Sequence, residues 1–129
     1  MMNNLFSKRN IIIAVVLVAV VAVIAGIWWY ESQPGPFDDF AQCLKDREVK
    51  FYGAFWCPHC QAQKKLFEKS QKKLPYIECS TPDGNNQLEV CQKADIQVYP
   101  TWEFPDGSRQ EGELTFQQLA NKSSCLAPK

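Results

Sequence analysis

The most apolar stretch of the chain lies near its N-terminus. Ile11 to Tyr30 reads IIIAVVLVAVVAVIAGIWWY, twenty positions without a charged residue. In a helix such a run spans about 30 Å, the thickness of the hydrocarbon core of a bilayer. It therefore predicts one transmembrane helix over residues 11–30. A cleaved secretory signal is the alternative, with Val23-Ile24-Ala25 as a cleavage site, although the run is longer than the roughly 7 to 15 residues usual in signals.

The residues that flank this run predict its orientation. Lys8 and Arg9 are the charged side chains among residues 1–10, so the positive-inside rule predicts that residues 1–10 stay in the cytoplasm. Trp28 to Tyr30 have the position of an interfacial aromatic belt. Residues 31–36, ESQPGP, have the composition of a short stiff linker, and residues 37–129 then form an extracytoplasmic domain. A cleaved signal places the domain on the same side.

From residue 37 onward the pattern predicts alternating helices and strands. Helices are indicated where apolar residues recur every three or four positions, and strands where aromatic and β-branched residues cluster. Pro100 marks an interruption or the first residue of a strand, because proline cannot donate a ladder hydrogen bond. Thr115 and Gln118 have capping-box spacing ahead of the last helix. The predicted elements are a helix at 38–45, a strand at 49–56, a helix at 61–73, a strand at 75–79, a helix at 87–94, a strand at 96–104, a strand at 109–113 and a helix from 116 onward.

Composition excludes some functions and favours others. The chain has 14 basic and 14 acidic residues, so no excess of positive charge favours nucleic-acid binding. Its six cysteines all follow the apolar run, and an even number of cysteines in an exported domain indicates disulfides. The cysteine content and the topology therefore point independently to an oxidising compartment such as the periplasm or the outer face of a membrane.

Two of the cysteines are arranged for thiol-disulfide exchange. Cys57-Pro58-His59-Cys60 lies between the predicted strand 49–56 and the helix that follows. At the start of a helix, unpaired N–H groups and the macrodipole stabilise a thiolate, which is the nucleophile of the reaction. Pro58 suits the first helical position. We expect Cys57 to be exposed and to attack, and Cys60, one turn later and more buried, to resolve the mixed disulfide.

His59 is the single histidine of the chain. When protonated, it adds positive charge beside the thiolate, stabilises the reduced form and makes the disulfide a stronger oxidant. An idle surface histidine is the alternative. The five lysines of the next helix, at 64, 65, 69, 72 and 73, are interpreted mainly as a solvated face, with a patch that attracts acidic partners or phospholipid headgroups as the alternative.

Two other uses of the cysteines were considered. Zinc could be held by four thiolates from Cys57, Cys60, Cys79 and Cys91, but eleven residues separate the last two, unlike the close pairs of structural zinc sites. A cysteine hydrolase needs a histidine base outside the motif, and the sequence has none. We expect no metal and no cofactor beyond the Cys57–Cys60 disulfide.

The sequence resembles a known family. The runs FYGAFWCPHCQAQKKLF, YIECS, VCQKADI, VYPTWEF and DGSRQEGELTFQQLA are similar to the thioredoxin-like domain that is fused to, or encoded apart from, bacterial homologues of vitamin K epoxide reductase. The likeness extends from about Phe37 to Leu126. Together with the βαβαββα order after the first helix, it implies an α/β thioredoxin fold preceded by one transmembrane helix.

The resemblance also implies roles for individual residues. Cys57 is then the attacking and Cys60 the resolving cysteine, supported by Trp56, Pro58 and His59. Packing at the core or rim is the main interpretation of Trp56, and contact with substrate is the alternative. The implied substrate-binding segment is Tyr99, Pro100 and Thr101, with a cis peptide bond before the proline. The resemblance implies a disulfide between Cys79 and Cys91, which leaves Cys43 and Cys125 as a second pair.

Two departures limit the resemblance. Many thioredoxins carry a buried acid six residues before the attacking cysteine, where this chain has Phe51. Proton removal from Cys60 then falls to water, to Glu78 or to no specific group. The sequence also lacks a multi-helix quinone-binding domain, so a membrane partner of the epoxide-reductase type would be a separate chain.

These observations predict a membrane-anchored dithiol oxidase that takes electrons from the cysteines of exported proteins and passes them to a quinone-linked membrane enzyme. A tethered reductase or isomerase is the enzymatic alternative. A structural or zinc-binding module without turnover is the non-enzymatic one.

Overall fold

The computed structural model describes residues 8–129 and contains two compact units, which are treated separately. The first is a single helix, α1, Lys8–Ser32, whose side chains are all exposed. At 25 residues it is long and apolar enough to cross a membrane, and it extends the predicted span by a few residues at each end. Residues 1–7 of the predicted cytoplasmic segment lie outside the described residues.

The second unit, Pro34–Lys129, is a mixed α/β domain. Its elements, in chain order, are α2 (Asp38–Asp46), β1 (Lys50–Gly53), α3 (Pro58–Leu66), a 3-10 helix (Glu68–Lys73), β2 (Tyr76–Glu78), α4 (Glu89–Lys93), β3 (Thr101–Glu103), β4 (Arg109–Glu111) and α5 (Phe116–Ser123). This order agrees with the predicted fold class. The observed strands, and the helices α3 and α4, are shorter than their sequence patterns suggested.

The strands form one four-stranded sheet in the order β2-β1-β3-β4. β1 and β2 are parallel, as expected for strands joined through α3, whereas β3 is antiparallel to both β1 and β4. β1 is therefore an inner strand, and the turn that follows it starts at the C-terminal end of that strand. That turn carries Cys57.

Alternation along β1 divides the buried side chains between the two faces of the sheet. On one face Phe51 stacks on Trp102, with ring centroids 4.4 Å apart, within the larger core cluster that also contains Cys60. On the other face Tyr52 packs with Cys79, Cys91 and Ile96. The predicted disulfide partners Cys79, directly after β2, and Cys91, on α4, thus belong to the smaller cluster.

Two element boundaries differ from the sequence prediction for identifiable reasons. β1 ends at Gly53, because residues 54–57 form a turn closed by a hydrogen bond from Cys57 N–H to the Ala54 carbonyl. The helix predicted at 61–73 begins earlier, at Pro58, and breaks after Leu66. Glu68 adopts a left-handed φ of 49°, and the chain continues as the 3-10 helix.

The last helix and the last hairpin have the local structure that their sequences predict. Thr115 caps α5, and its capping box with Gln118 is complete in both directions. Gly107 takes a positive φ of 79° in the predicted turn between β3 and β4. Pro100 immediately precedes β3, as the hydrogen-bonding limit of proline predicted.

Candidate active site around Cys57 and Cys60

Cys57 occupies the N-cap position of α3, at the end of the turn that leaves the central strand. Its sulfur accepts a hydrogen bond from the Cys60 N–H, with an N···S distance of 3.4 Å. Pro58 is the first residue of the helix, where a missing N–H leaves no carbonyl unpaired. A thiolate at Cys57 would therefore meet the positive end of the helix dipole and an N–H donor directed at the sulfur.

The expectation that Cys57 is exposed is wrong for the thiol form in this structure. Cys57 is 4% exposed and Cys60 is 0% exposed, so the predicted order of burial holds although both are buried. The cover comes from a distant segment, since the Cys57 thiol donates to the Tyr99 carbonyl, with an S···O distance of 3.7 Å. An incoming substrate sulfur must reach Cys57 through the small part of its surface that remains accessible beside Tyr99.

Burial has a direct effect on Cys60. Burial, together with the neighbouring Cys57, raises the pKa of the Cys60 thiol to about 12, although a hydrogen bond with the Ala54 backbone and the charge of Lys64 oppose the rise. Cys60 is therefore a neutral thiol at physiological pH until a base or a nearby charge assists its ionisation.

His59 lies on the exposed side of the active-site turn. Its Nδ1 is 2.8 Å from the Glu113 carboxylate, and the His59 side chain is 70% exposed. Glu113 lies after β4, 54 positions along the chain, and no pattern in the sequence indicated this pair. The contact fixes the imidazole beside the turn.

Trp56 and Tyr99 form one wall next to Cys57. Their rings meet edge to face with centroids 6.1 Å apart, and the Trp56 indole N–H donates to Ser80 Oγ at 2.8 Å. Trp56 is half exposed, which agrees with a rim position rather than a core position. Its neighbour Phe55 is exposed to a similar degree, so two partly exposed aromatic side chains directly precede Cys57 in the chain.

The implied substrate-binding segment lies beside Cys57. The Tyr99–Pro100 peptide bond is cis, and the Tyr99 carbonyl faces the Cys57 sulfur. Thr101 is different, because its side chain is buried and its hydroxyl donates to the Val98 carbonyl at 2.7 Å. The structure thus brings Tyr99 to the site but leaves the Thr101 side chain turned away from any incoming substrate.

Glu78 connects several backbone and side-chain groups around the active-site turn, a role that the sequence indicated only weakly. Its Oε1 accepts hydrogen bonds from the N–H groups of Phe55, at 3.1 Å, and Ser80, at 3.0 Å. Its Oε2 accepts from the Tyr76 hydroxyl at 2.8 Å. One carboxylate therefore links the end of β2 to the turn that carries Cys57.

One of the five lysines does not fit the interpretation of a solvated face. Lys64 is half buried, and its ammonium lies 3.2 Å from the centre of the Tyr76 ring. Burial lowers the pKa of Lys64, while Glu78 and Cys60 oppose that shift. The position of Lys64 one turn after Cys60 could have revealed this, since residues four apart share a helix face.

The other four cysteines form two disulfides. Cys43 on α2 is joined to Cys125 after α5, and Cys79 after β2 is joined to Cys91 on α4. These are the pairs that the resemblance implied. Cys57 and Cys60 are both free thiols in this structure. The zinc alternative needed Cys79 and Cys91 as thiolates, and they are instead bonded to each other.

Gln63 is a further residue that sequence reasoning missed. It is buried, and its side-chain amide makes two hydrogen bonds with the backbone of Leu114, of 3.0 Å from Nε2 and 2.6 Å to Oε1. The amide therefore fixes α3 to the segment that follows β4, next to Glu113.

Comparison with known proteins agrees with this geometry. The thioredoxin family model matches residues 34–123. The thiol-disulfide oxidoreductase LTO1 of Arabidopsis thaliana is 40% identical over 85 residues, which cover 62% of this chain and 22% of that protein. The chain thus spans about a fifth of the length of this relative. The matched residues contain the central strand, the CPHC turn and the sheet that supports it, and the chain belongs to the thioredoxin family.

Proposed function

We propose that this chain is a membrane-anchored thiol-disulfide oxidoreductase that oxidises the cysteines of exported proteins through Cys57 and Cys60. The observation that carries the proposal is the N-cap position of Cys57, whose sulfur accepts the Cys60 N–H one helical turn ahead of the second thiol. The name of the Arabidopsis relative and the thioredoxin family match support the reaction type.

The oxidised chain begins the cycle with a Cys57–Cys60 disulfide. A substrate thiolate attacks Cys57 and displaces Cys60, and a second substrate thiolate then displaces Cys57, which leaves the substrate oxidised and the chain with two thiols. Two electrons move from substrate to chain. The reduced chain, with both thiols free, is the form described here.

One feature supports oxidation as the direction of flow. His59 brings a group that can carry positive charge to the turn, and positive charge favours the reduced form of the pair. This feature fits an acceptor of electrons better than a donor. Phe51 occupies the position where many thioredoxins carry an acid, so a base for Cys60 has to come from another part of the site.

The location and the partner are further parts of the proposal. The charge-free middle of α1 and the basic residues at its start support an anchor with the domain outside the cytoplasm. Two structural disulfides support an oxidising compartment. Electrons then pass to a separate quinone-linked membrane enzyme of the vitamin K epoxide reductase type.

Trapping with Cys60→Ala tests the exchange reaction. In this variant a substrate bonded to Cys57 cannot be released by Cys60, so mixed disulfides should accumulate as bands that disappear on reduction. The matched control is Cys57→Ala, which should trap far less. Equal trapping by the two variants, or none by either, would remove the proposed attacking role of Cys57.

Equilibration of the full chain with glutathione buffers tests the direction. An oxidase requires a reduction potential well above the value of about −270 mV typical of thioredoxin. A potential near that value would instead favour the tethered reductase.

A further inference from the structure

Closing the Cys57–Cys60 disulfide requires Cys60 to lose its proton, and the following inference rests on the proposed function. The Cys60 sulfur is fully buried, and burial raises the pKa of its thiol to about 12. Few Cys60 thiolates therefore form at neutral pH without a nearby acceptor. Phe51 at the usual position of the acid cannot serve.

The sheet places another carboxylate on the same side as Cys60. Phe51 pairs with Tyr76 and Gly53 pairs with Glu78 in the parallel β1–β2 register, so the side chains of Phe51, Tyr76 and Glu78 point to the face toward which a Cβ at Gly53 would point. A Cβ added at Gly53 would lie 2.8 Å from both the Cys60 sulfur and Cε2 of Tyr76. The Cys60 sulfur thus lies against Gly53 at the end of β1, beside the Tyr76 ring.

The charged groups around Cys60 come from two elements. From α3, Lys64 and Cys57 act on the Cys60 thiol, and Lys64 lies over the Tyr76 ring at 3.2 Å. From β2, the Tyr76 hydroxyl donates to Glu78, and the charge of Glu78 acts on Lys64. Lys64, Tyr76 and Glu78 therefore form one cluster that reaches from the Cys60 sulfur to a carboxylate.

Glu78 keeps the capacity to accept a proton. Its two oxygens offer about four acceptor positions. Three are filled by the N–H groups of Phe55 and Ser80 and by the Tyr76 hydroxyl. Gln63, a buried polar side chain of α3, makes its hydrogen bonds with the backbone of Leu114 through both Nε2 and Oε1.

We propose that Glu78 accepts the proton that Cys60 loses when it resolves a mixed disulfide, and that Lys64 stabilises the Cys60 thiolate before it attacks. The S–H bond of Cys60 breaks and the proton ends on the Glu78 carboxylate. The Cys60 thiolate then forms the S–S bond with Cys57, and the bond between Cys57 and the partner sulfur breaks. The partner leaves as a thiolate that carries the electron pair of that bond.

A two-phase reaction with one equivalent of the aromatic disulfide dithiobis(nitrobenzoate) separates the two cysteines. Attack by Cys57 of the reduced full chain in detergent releases one coloured thiolate. Attack by Cys60 on the mixed disulfide releases the second. The second phase alone requires the Cys60 proton to leave.

Glu78→Gln keeps the shape and most hydrogen bonds of Glu78 but cannot accept the proton. We expect its second phase to be at least about tenfold slower at pH 7, and its first phase to change by less than about threefold. The second-phase rate of this variant should rise about tenfold per pH unit, since only the thiolate fraction limits it, whereas the unaltered chain should vary less steeply. Glu111→Gln, an exposed carboxylate on β4, is the matched control and should change neither phase.

Lys64 is a positioning residue in this scheme, and its test separates charge from packing. Lys64→Gln should slow the second phase, Lys64→Arg should restore most of the rate, and the exposed neighbour Lys65→Gln should have no effect. An unchanged second phase in Glu78→Gln, or equal slowing of both phases, would overturn the proposed proton transfer. If the unaltered chain retains the aromatic group and closes no Cys57–Cys60 disulfide, the proposed function itself fails.

Discussion

The two structural disulfides should contribute unequally to folding stability. The Cys43–Cys125 bond closes 82 positions of chain, whereas the Cys79–Cys91 bond closes 12. The chain-entropy relation then gives about 4.5 kcal/mol for the first bond and about 2.8 kcal/mol for the second. For a domain of this size, roughly 5 °C per kcal/mol converts these losses into Tm decreases of about 22 °C and about 14 °C. The free energy of unfolding of a domain is typically about 5 to 15 kcal/mol, so the Cys43–Cys125 bond supplies a large share of that stability.

Urea unfolding of two double variants measures these losses. Cys43→Ala with Cys125→Ala opens the long loop, and Cys79→Ala with Cys91→Ala opens the short one. Loop length alone gives an expected difference of about 1.7 kcal/mol. Cys79 and Cys91 are fully buried whereas Cys43 is partly exposed, so the short-loop variant also loses more packing, and the long-loop variant should exceed it by up to that amount. Equal losses, or a larger loss for the short loop, would refute the argument from chain entropy.

Three further predictions test other parts of the domain. Replacing His59 by Ala removes a group that can carry positive charge at the turn; iodoacetamide should then alkylate Cys57 more slowly at pH 7, and the reduction potential should fall. Gly53→Ala would bring a Cβ within 2.8 Å of the Cys60 sulfur, and should lower the free energy of unfolding by about 1 to 3 kcal/mol, measured by urea titration. A hydrogen bond from Lys50 holds the pKa of Glu103 below its ordinary value of 4.5, so this carboxylate stabilises the fold above that pH and the stability is lost as the pH falls below it. Glu103→Gln should therefore flatten the loss of stability in acid-unfolding curves.

The parts of the fold that the sequence predicted are those specified by neighbouring residues. The capping box of Thr115 and the position of Pro58 depend on contacts within one helical turn. The break after Leu66 depends instead on tertiary contacts. Ser70 is fully buried after the break, and its hydroxyl accepts the Phe37 N–H, 33 positions away, at 2.9 Å. Helical periodicity continues through such a break, so the sequence showed one helix.

The same distinction applies to the candidate site. The CPHC spacing identified the reactive pair, because the chemistry requires two cysteines one turn apart. Burial of Cys57 could not be predicted, since its cover is the Tyr99 carbonyl, 42 positions away. The contact between His59 and Glu113 likewise joins segments 54 positions apart. Single-sequence periodicity carries no information on such pairs.

The Cys79–Cys91 disulfide connects stability with the active-site turn. Cys79 N–H donates to the Gly53 carbonyl at 2.7 Å, and the residues on either side of Cys79 hold the backbone of Phe55 and the indole of Trp56. Opening this disulfide should therefore slow closure of the Cys57–Cys60 bond, whereas opening Cys43–Cys125 at the far ends of α2 and α5 should not. Both double variants can be assayed with the aromatic disulfide well below their unfolding temperatures. Equal second-phase rates in the two variants would show that the loop disulfide stabilises the fold without positioning the turn.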